Sequence, residues 1–223
     1  MHASDDATVE GERVILLHGL WMRAFTLIPL RRRLERAGYQ VDLFDYASVF
    51  RDPQSSVQAL LDKLSATAAG KVHCVGHSLG GLIAVQALQQ SAAVPGIPAG
   101  NTVCLGTPLR GSAVARSLKR MPGGAMLIGK SAAMLVDGLR PTDLRRPVGA
   151  IAGRLPLGLG AITGSLAAPH DGTVSVAETE FPGLTDHCVV AATHFGLVFS
   201  EDAAQQTLAF LRNARFEHGA PVN

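Results

Sequence analysis

Val72-His73-Cys74-Val75-Gly76-His77-Ser78-Leu79-Gly80-Gly81 is the stretch on which the rest of the chain turns. A run of small and β-branched residues stops at three glycines with one serine held between them. Gly76-x-Ser78-x-Gly80 fits a sharp strand-to-helix turn, the nucleophile elbow. There the serine takes a strained conformation, and its neighbours two residues away on either side must be small. The turn lifts the hydroxyl clear of the sheet and sets it at the start of the next helix, where backbone N–H groups can receive negative charge.

Outward from that stretch, apolar runs alternate with helical patterns. Residues 13–19 (RVILLHG) form a short continuous run of the kind buried on both faces of a sheet. Residues 24–37 follow as a helix with Phe25, Ile28, Leu30 and Leu34 among arginines, closed by Gly38. A second strand falls on 39–46, a helix on 54–69 with Val57, Leu60, Leu61 and Leu64 on one stripe, and a third strand on 71–76. The helix at 79–90 is apolar nearly all round and so must be buried. Residues 101–106 give a fourth strand, 147–153 a fifth and 186–194 a sixth. A closing helix spans 200–213, anchored by Leu208, Phe210 and Leu211. Between 107 and 146 the chain is loose and rich in Gly, Met, Ala and Pro. Uninterrupted apolar strands alternating with helices predict a mostly parallel sheet covered on both faces, with any site at the carboxyl ends of its strands.

The totals agree with one folded domain over 1–223. The chain is 47% hydrophobic and carries a net charge of +2, so nothing in its charge balance points to nucleic acid. Arg31-Arg32-Arg33 and Arg145-Arg146 read as a solvated helix face and a loop before a strand. Cys74, Cys104 and Cys188 all fall in predicted strands, with neither disulfide nor zinc spacing. The N-terminus is acidic and polar, unlike a secretory signal. The longest apolar region, 148–168, is broken by Arg154, Pro156 and glycines and makes no convincing membrane span. A soluble, cytoplasmic protein is the expectation; the oligomeric state is not written in the sequence.

A serine at its ordinary pKa is a poor nucleophile and needs a base, which in turn needs an orienting acid. His194 closes the sixth strand in "ATHFGLVFS", and Asp171 follows the fifth in "PHDGTVSV", where Asp-Gly permits a tight turn. Asp143, Asp186 and Glu178 are alternative carboxylates, and His170 and His187 alternative bases, all less well placed along the predicted elements. An acyl-transfer intermediate also needs donors for its oxyanion. The N–H of Leu79, directly after the serine, is one; the N–H of Leu20, in the loop opened by His18-Gly19, is the other. His18 and His77 are read as structural.

"LLHGLW", "VGHSLGG", "LGTPLRGS", "HDGTVSV" and "THFGLVFS" together resemble the α/β-hydrolase superfamily, and within it the bacterial lipases and esterases. Nothing strand-like precedes Val14, which resembles the minimal form of that fold with six strands. The resemblance implies a serine hydrolase with Ser78 as nucleophile, Asp171 as acid, His194 as base, and Leu20 and Leu79 as oxyanion donors, needing no cofactor and no metal. The segment 111–146 is long enough to serve as a lid, and Trp21, Met126 and Leu127 are candidate walls of a substrate pocket. Apolar walls favour a small-molecule acyl ester over peptides or sugars and leave contact with a lipid interface open. A thioesterase or acyltransferase would use the same three residues; a non-catalytic ligand-binding protein would have no need of all three.

Overall fold

Each apolar run becomes one strand of a six-stranded sheet in the computed structural model, which describes residues 11–68, 70–91, 94–141, 144–158 and 166–218. The strands are β1 (Arg13–Leu17), β2 (Gln40–Phe44), β3 (Val72–His77), β4 (Thr102–Leu105), β5 (Val148–Gly153) and β6 (Asp186–Val190). They lie in the order β2-β1-β3-β4-β5-β6, and all five pairings are parallel. The helices are α1 (Ile28–Arg36), α2 (Pro53–Ser65), α3 (Leu79–Ser91), α4 (Ala113–Arg120), α5 (Gly124–Ile128), α6 (Ala132–Asp137), α7 (Val176–Thr179) and α8 (Glu201–Asn213).

The two-residue period of the strands divides the core. Ile15 and Leu17 of β1, Cys74 of β3 and Ala150 of β5 pack on one face with Leu60, Leu61 and Leu64 of α2 and Leu82 and Ile83 of α3. Val14, Leu16, Val75 and Ile151 pack on the other with Leu30 and Leu34 of α1 and Phe210 and Leu211 of α8. Each fully buried leucine of these stripes contributes about 1.5–3 kcal/mol. Side-chain caps fix where the helices begin. Asp52 accepts from Gln54 N–H ahead of α2, Ser112 from Ala115 N–H ahead of α4, and Ser200 from Ala203 N–H ahead of α8.

Three expectations shift. Phe25 lies outside the apolar stripe of the first helical segment and is 67% exposed, because residues 24–27 wind as a tighter 3-10 turn that buries Ala24 and Leu27 instead. The sixth strand stops at Val190, where Ala192 N–H turns back to Val190 O; His194 stands beyond it at the head of a 3-10 turn, Phe195–Val198. The expected loose stretch at 107–146 holds, in its described residues, α4, α5 and α6, three short helices set apart by left-handed glycines, Gly123 and Gly129 among them. The arginine clusters behave as ordinary surface. Arg31 pairs with Glu35 and Arg33 with Glu201, while Arg146 donates to the carbonyls of Ile97 and Pro98. The three cysteines are free thiols, and burial pushes those of Cys74 and Cys104 up to about 12. Among the described residues no helix is long and apolar enough to cross a membrane.

The strand order reverses between β2 and β3, on either side of β1. In an open parallel sheet the crevice at such a switch point, outside the carboxyl ends of the strands, is where ligands collect.

Candidate functional site

Ser78 follows β3 directly and holds φ at 52°, a left-handed conformation that non-glycine residues seldom adopt and that stores about 1–3 kcal/mol. Its amide donates to Leu105 O at 2.8 Å, and α3 begins at the next residue, Leu79. The surrounding glycines are required sterically. A Cβ on Gly76 would strike the backbone of Gly80 and Gly81, and one on Gly80 would come within 2.5 Å of Leu17 O and 2.7 Å of His18 O. Because those neighbours are backbone, nothing can rotate aside. Gly76→Ala is therefore expected to destabilise the fold by about 1–3 kcal/mol or more, lowering Tm by about 2–4 °C for each kcal/mol. Gly70→Ala, where a Cβ meets nothing within 4 Å, should leave Tm unchanged; equal melting of the two variants would contradict the steric reading.

Asp171 and His194 come together beside β5. His194 Nδ1 lies 2.7 Å from Asp171 Oδ2, and the His194 amide donates to Asp171 O at 2.8 Å, so one residue holds both the ring and the backbone of the other. The second oxygen, Oδ1, accepts from Thr173 N–H at 2.9 Å and Val174 N–H at 2.7 Å. The carboxylate is 1% exposed and fully partnered. With Nδ1–H given to Asp171, the neutral ring keeps Nε2 as its basic nitrogen. Two glycines make room for the pair. A Cβ on Gly106 would fall 3.0 Å from His194 Nδ1 and 3.1 Å from Asp171 Oδ2, and one on Gly153 would fall 2.7 Å from Asp171 Cβ.

Ser78 and His194 line one cavity of about 320 Å³, without a hydrogen bond between them. Its walls are predominantly apolar, with Leu20 on the β1 side and Val114, Leu118, Ile128 and Leu135 from α4–α6 above. The segment 113–137 thus roofs the site. Leu79 is buried at the first position of α3, where helix N–H groups have no intrahelical partner. Trp21 lines the cavity and is 50% exposed. Met126 and Leu127 do not line it: they project from the outer side of α5 into an adjoining groove, and Ile128 is the residue that turns inward.

His77 and His18 brace the loops. His77 donates from Nε2 to His194 O at 2.9 Å, its ring centroid 4.8 Å from that of His194. Complete burial, reinforced by the neighbouring His194, pushes its pKa down to about 3, so it is a neutral strut at any ordinary pH. His18 donates from Nδ1 to Gly19 O and accepts Tyr46 N–H at Nε2, while the Tyr46 hydroxyl donates to His18 O. Burial lowers the pKa of this ring as well. The other candidates are engaged elsewhere. Glu178 receives Ser175 N–H and Ala113 N–H, Asp186 pairs with His218, His170 Nδ1 accepts Gly172 N–H, and His187 meets the Thr179 hydroxyl; Asp143 lies outside the described residues. Gly106 and Gly153 were missed in the sequence, although a glycine closing each of two neighbouring strands was a visible sign of close approach; His77 was read there as structural, without its partner at His194 O. Among the described residues no group of three or more His, Cys, Asp or Glu side chains is placed to hold a metal ion.

A parallel sheet reversing at β1, with a left-handed serine between β3 and a buried helix, defines the α/β-hydrolase class of fold. The family model described as the alpha/beta hydrolase family matches residues 14–221, and the chain belongs to that family. Among solved structures it is similar to the mature form of the Bacillus licheniformis lipase BlEst2, at 19% identity and a TM-score of 0.72 over 91% of each chain. It is also similar to the metagenomic carboxyl esterase MGS0156, at 18% identity and a TM-score of 0.63, over 82% of this chain and 64% of that one. The Vlm2 thioesterase domain matches at 14% identity and a TM-score of 0.59, over 93% and 95% of the two chains. At these identities the likeness is one of fold. A comparison with curated proteins finds no match.

Proposed function

We propose that the protein is a serine carboxylic-ester hydrolase acting on apolar acyl esters. The observation that carries this reading is the shared cavity: left-handed Ser78 and Asp171-bound His194 face one apolar space. In this mechanism Ser78 Oγ attacks the acyl carbonyl while His194 Nε2 takes its proton. The oxyanion is received by the N–H groups of Leu79, at the positive end of α3, and of Leu20, in the loop braced by His18 and Tyr46. His194 returns the proton to the departing alkoxide, leaving an acyl group on Ser78. Water, activated by the same Nε2, then releases the acid and restores the serine. Asp171 fixes the tautomer and stabilises the imidazolium at each step.

The direct test is a fluorophosphonate probe followed by peptide mass spectrometry, with hydrolysis of nitrophenyl esters from acetate to palmitate alongside. Labelling at Ser78 and turnover of at least one ester are expected. Folded protein that takes no label would sink the reading. Label without turnover of any oxygen ester would move the leaving group to a thiol or the acceptor to another alcohol, the thioesterase or acyltransferase chemistry open to the same residues.

A further inference from the structure

The cavity that contains Ser78 has a larger neighbour, a groove of about 870 Å³, and the residues common to both linings are Trp21 and Met22. The two spaces differ in character. The smaller is walled mainly by leucine, isoleucine and valine, whereas the groove mixes apolar side chains, Phe44, Val49 and Phe50 among them, with the Arg23–Asp45 ion pair, Arg51 and the serines at the head of α2. Trp21 stands between them. Its Nε1–H donates to Leu127 O at 2.8 Å, which ties the loop after β1 to α5 in the roof. Its backbone holds φ at 60°, left-handed geometry that a bulky side chain adopts only when its surroundings enforce it. Such enforced strain commonly marks a position whose side chain must stand in one place, and here that place is the boundary between the two spaces.

We propose that Trp21 is a partition that sets the length of acyl chain the protein accepts. It confines the acyl group to the smaller cavity and closes the adjoining groove to it. At about 320 Å³ that cavity lies near the lower end of ligand pockets, which run to about 1,000 Å³, so short and medium acyl chains are the expected substrates. Removing the indole joins the two spaces and cuts the tie to Leu127. The proposal specifies the substrate of the ester-hydrolase reading and rests on it.

Trp21→Ala and Trp21→Phe, each checked by thermal melting, would be compared with the parent on nitrophenyl acetate, butyrate, octanoate and palmitate. Trp21→Ala is expected to raise the palmitate-to-butyrate ratio of kcat/KM by about ten-fold or more, with Trp21→Phe, which keeps a ring, well below it. An unchanged ratio in folded Trp21→Ala, or a loss spread evenly over the four esters, overturns the partition. A binding measurement separates this from the hydrolase reading, because Trp21 is the only tryptophan in the sequence and its emission reports on this boundary alone. In Ser78→Ala, octanoate should change that emission saturably and palmitate should bind more weakly. That pattern in a protein that hydrolyses no ester would reject the hydrolase reading and keep the partition. Emission indifferent to every acid would overturn the partition even if esters are turned over.

Discussion

Ser78→Ala is expected to lower turnover of the best nitrophenyl ester by about a million-fold while leaving the melting temperature nearly unchanged. Both halves follow from the geometry. Without Oγ no acyl-enzyme forms, and the remaining oxyanion donors and binding walls sustain only about a thousand- to ten-thousand-fold acceleration over water. Removing the hydroxyl leaves the fold intact because alanine keeps the Cβ and the same left-handed φ, with the Ser78 N–H to Leu105 O bond undisturbed. The measurement is a steady-state rate beside a thermal melt for parent and variant. Retention of more than about one part in a thousand of the parent rate would remove Ser78 from the nucleophile role.

The second large effect concerns the carboxylate. Asp171→Asn is expected to reduce kcat by about ten-thousand-fold. The structure dictates which way the new amide must face. Oδ1 receives two backbone N–H groups, from Thr173 and Val174, so that position has to remain a carbonyl oxygen. The NH2 group is then forced toward His194 Nδ1, where the carboxylate oxygen had been 2.7 Å away. Two donors cannot face each other, so the ring moves its proton to Nε2 and loses the lone pair that would accept the serine proton. At 1% exposure Asp171 is too buried for the mismatch to be relieved by turning the new amide out to solvent. Activity within about ten-fold of the parent would transfer the acid role to another carboxylate. Glu178 is a poor substitute because it is committed to Ser175 and Ala113, and so is Asp186, which stands at the opposite end of the sheet paired with His218.

How far the chain could be read in advance depended on how local the deciding physics was. β1, β3 and β5 announced themselves because a strand buried on both faces is apolar along nearly its whole length, and their segments are, apart from Arg13 at the start of β1 and the buried His73 and His77 of β3. The α2 stripe was legible for a similar reason: one buried face at helical spacing leaves a periodic trace. At the sheet edge the trace fades. β6 mixes half-exposed with buried residues, so the apolar letters that continue to His194 gave no hint that the strand turns away at Val190. The roof was harder still, since helices of five or six residues between left-handed glycines are too short to show a period. In the candidate site, Ser78, Asp171 and His194 stand out because strand ends are few and their side chains are chemically distinctive. What the sequence did not disclose were contacts made across it: His77 reaching His194 O, 117 residues away, and the missing side chains at Gly106 and Gly153 that admit the Asp171–His194 pair.

The Glu178 carboxylate, buried beneath the roof, carries a lesson for anyone rebuilding this molecule. One of its oxygens takes the N–H that opens α4, and the other takes the N–H of Ser175, four residues past Asp171. The cover and the acid-bearing loop are thereby pinned to a single post. They are not interchangeable modules: a cover transplanted from another chain would have to bring its own donor for that oxygen. Without it, the graft would leave a buried carboxylate half unpaired, and the loop supporting Asp171 would settle around that vacancy.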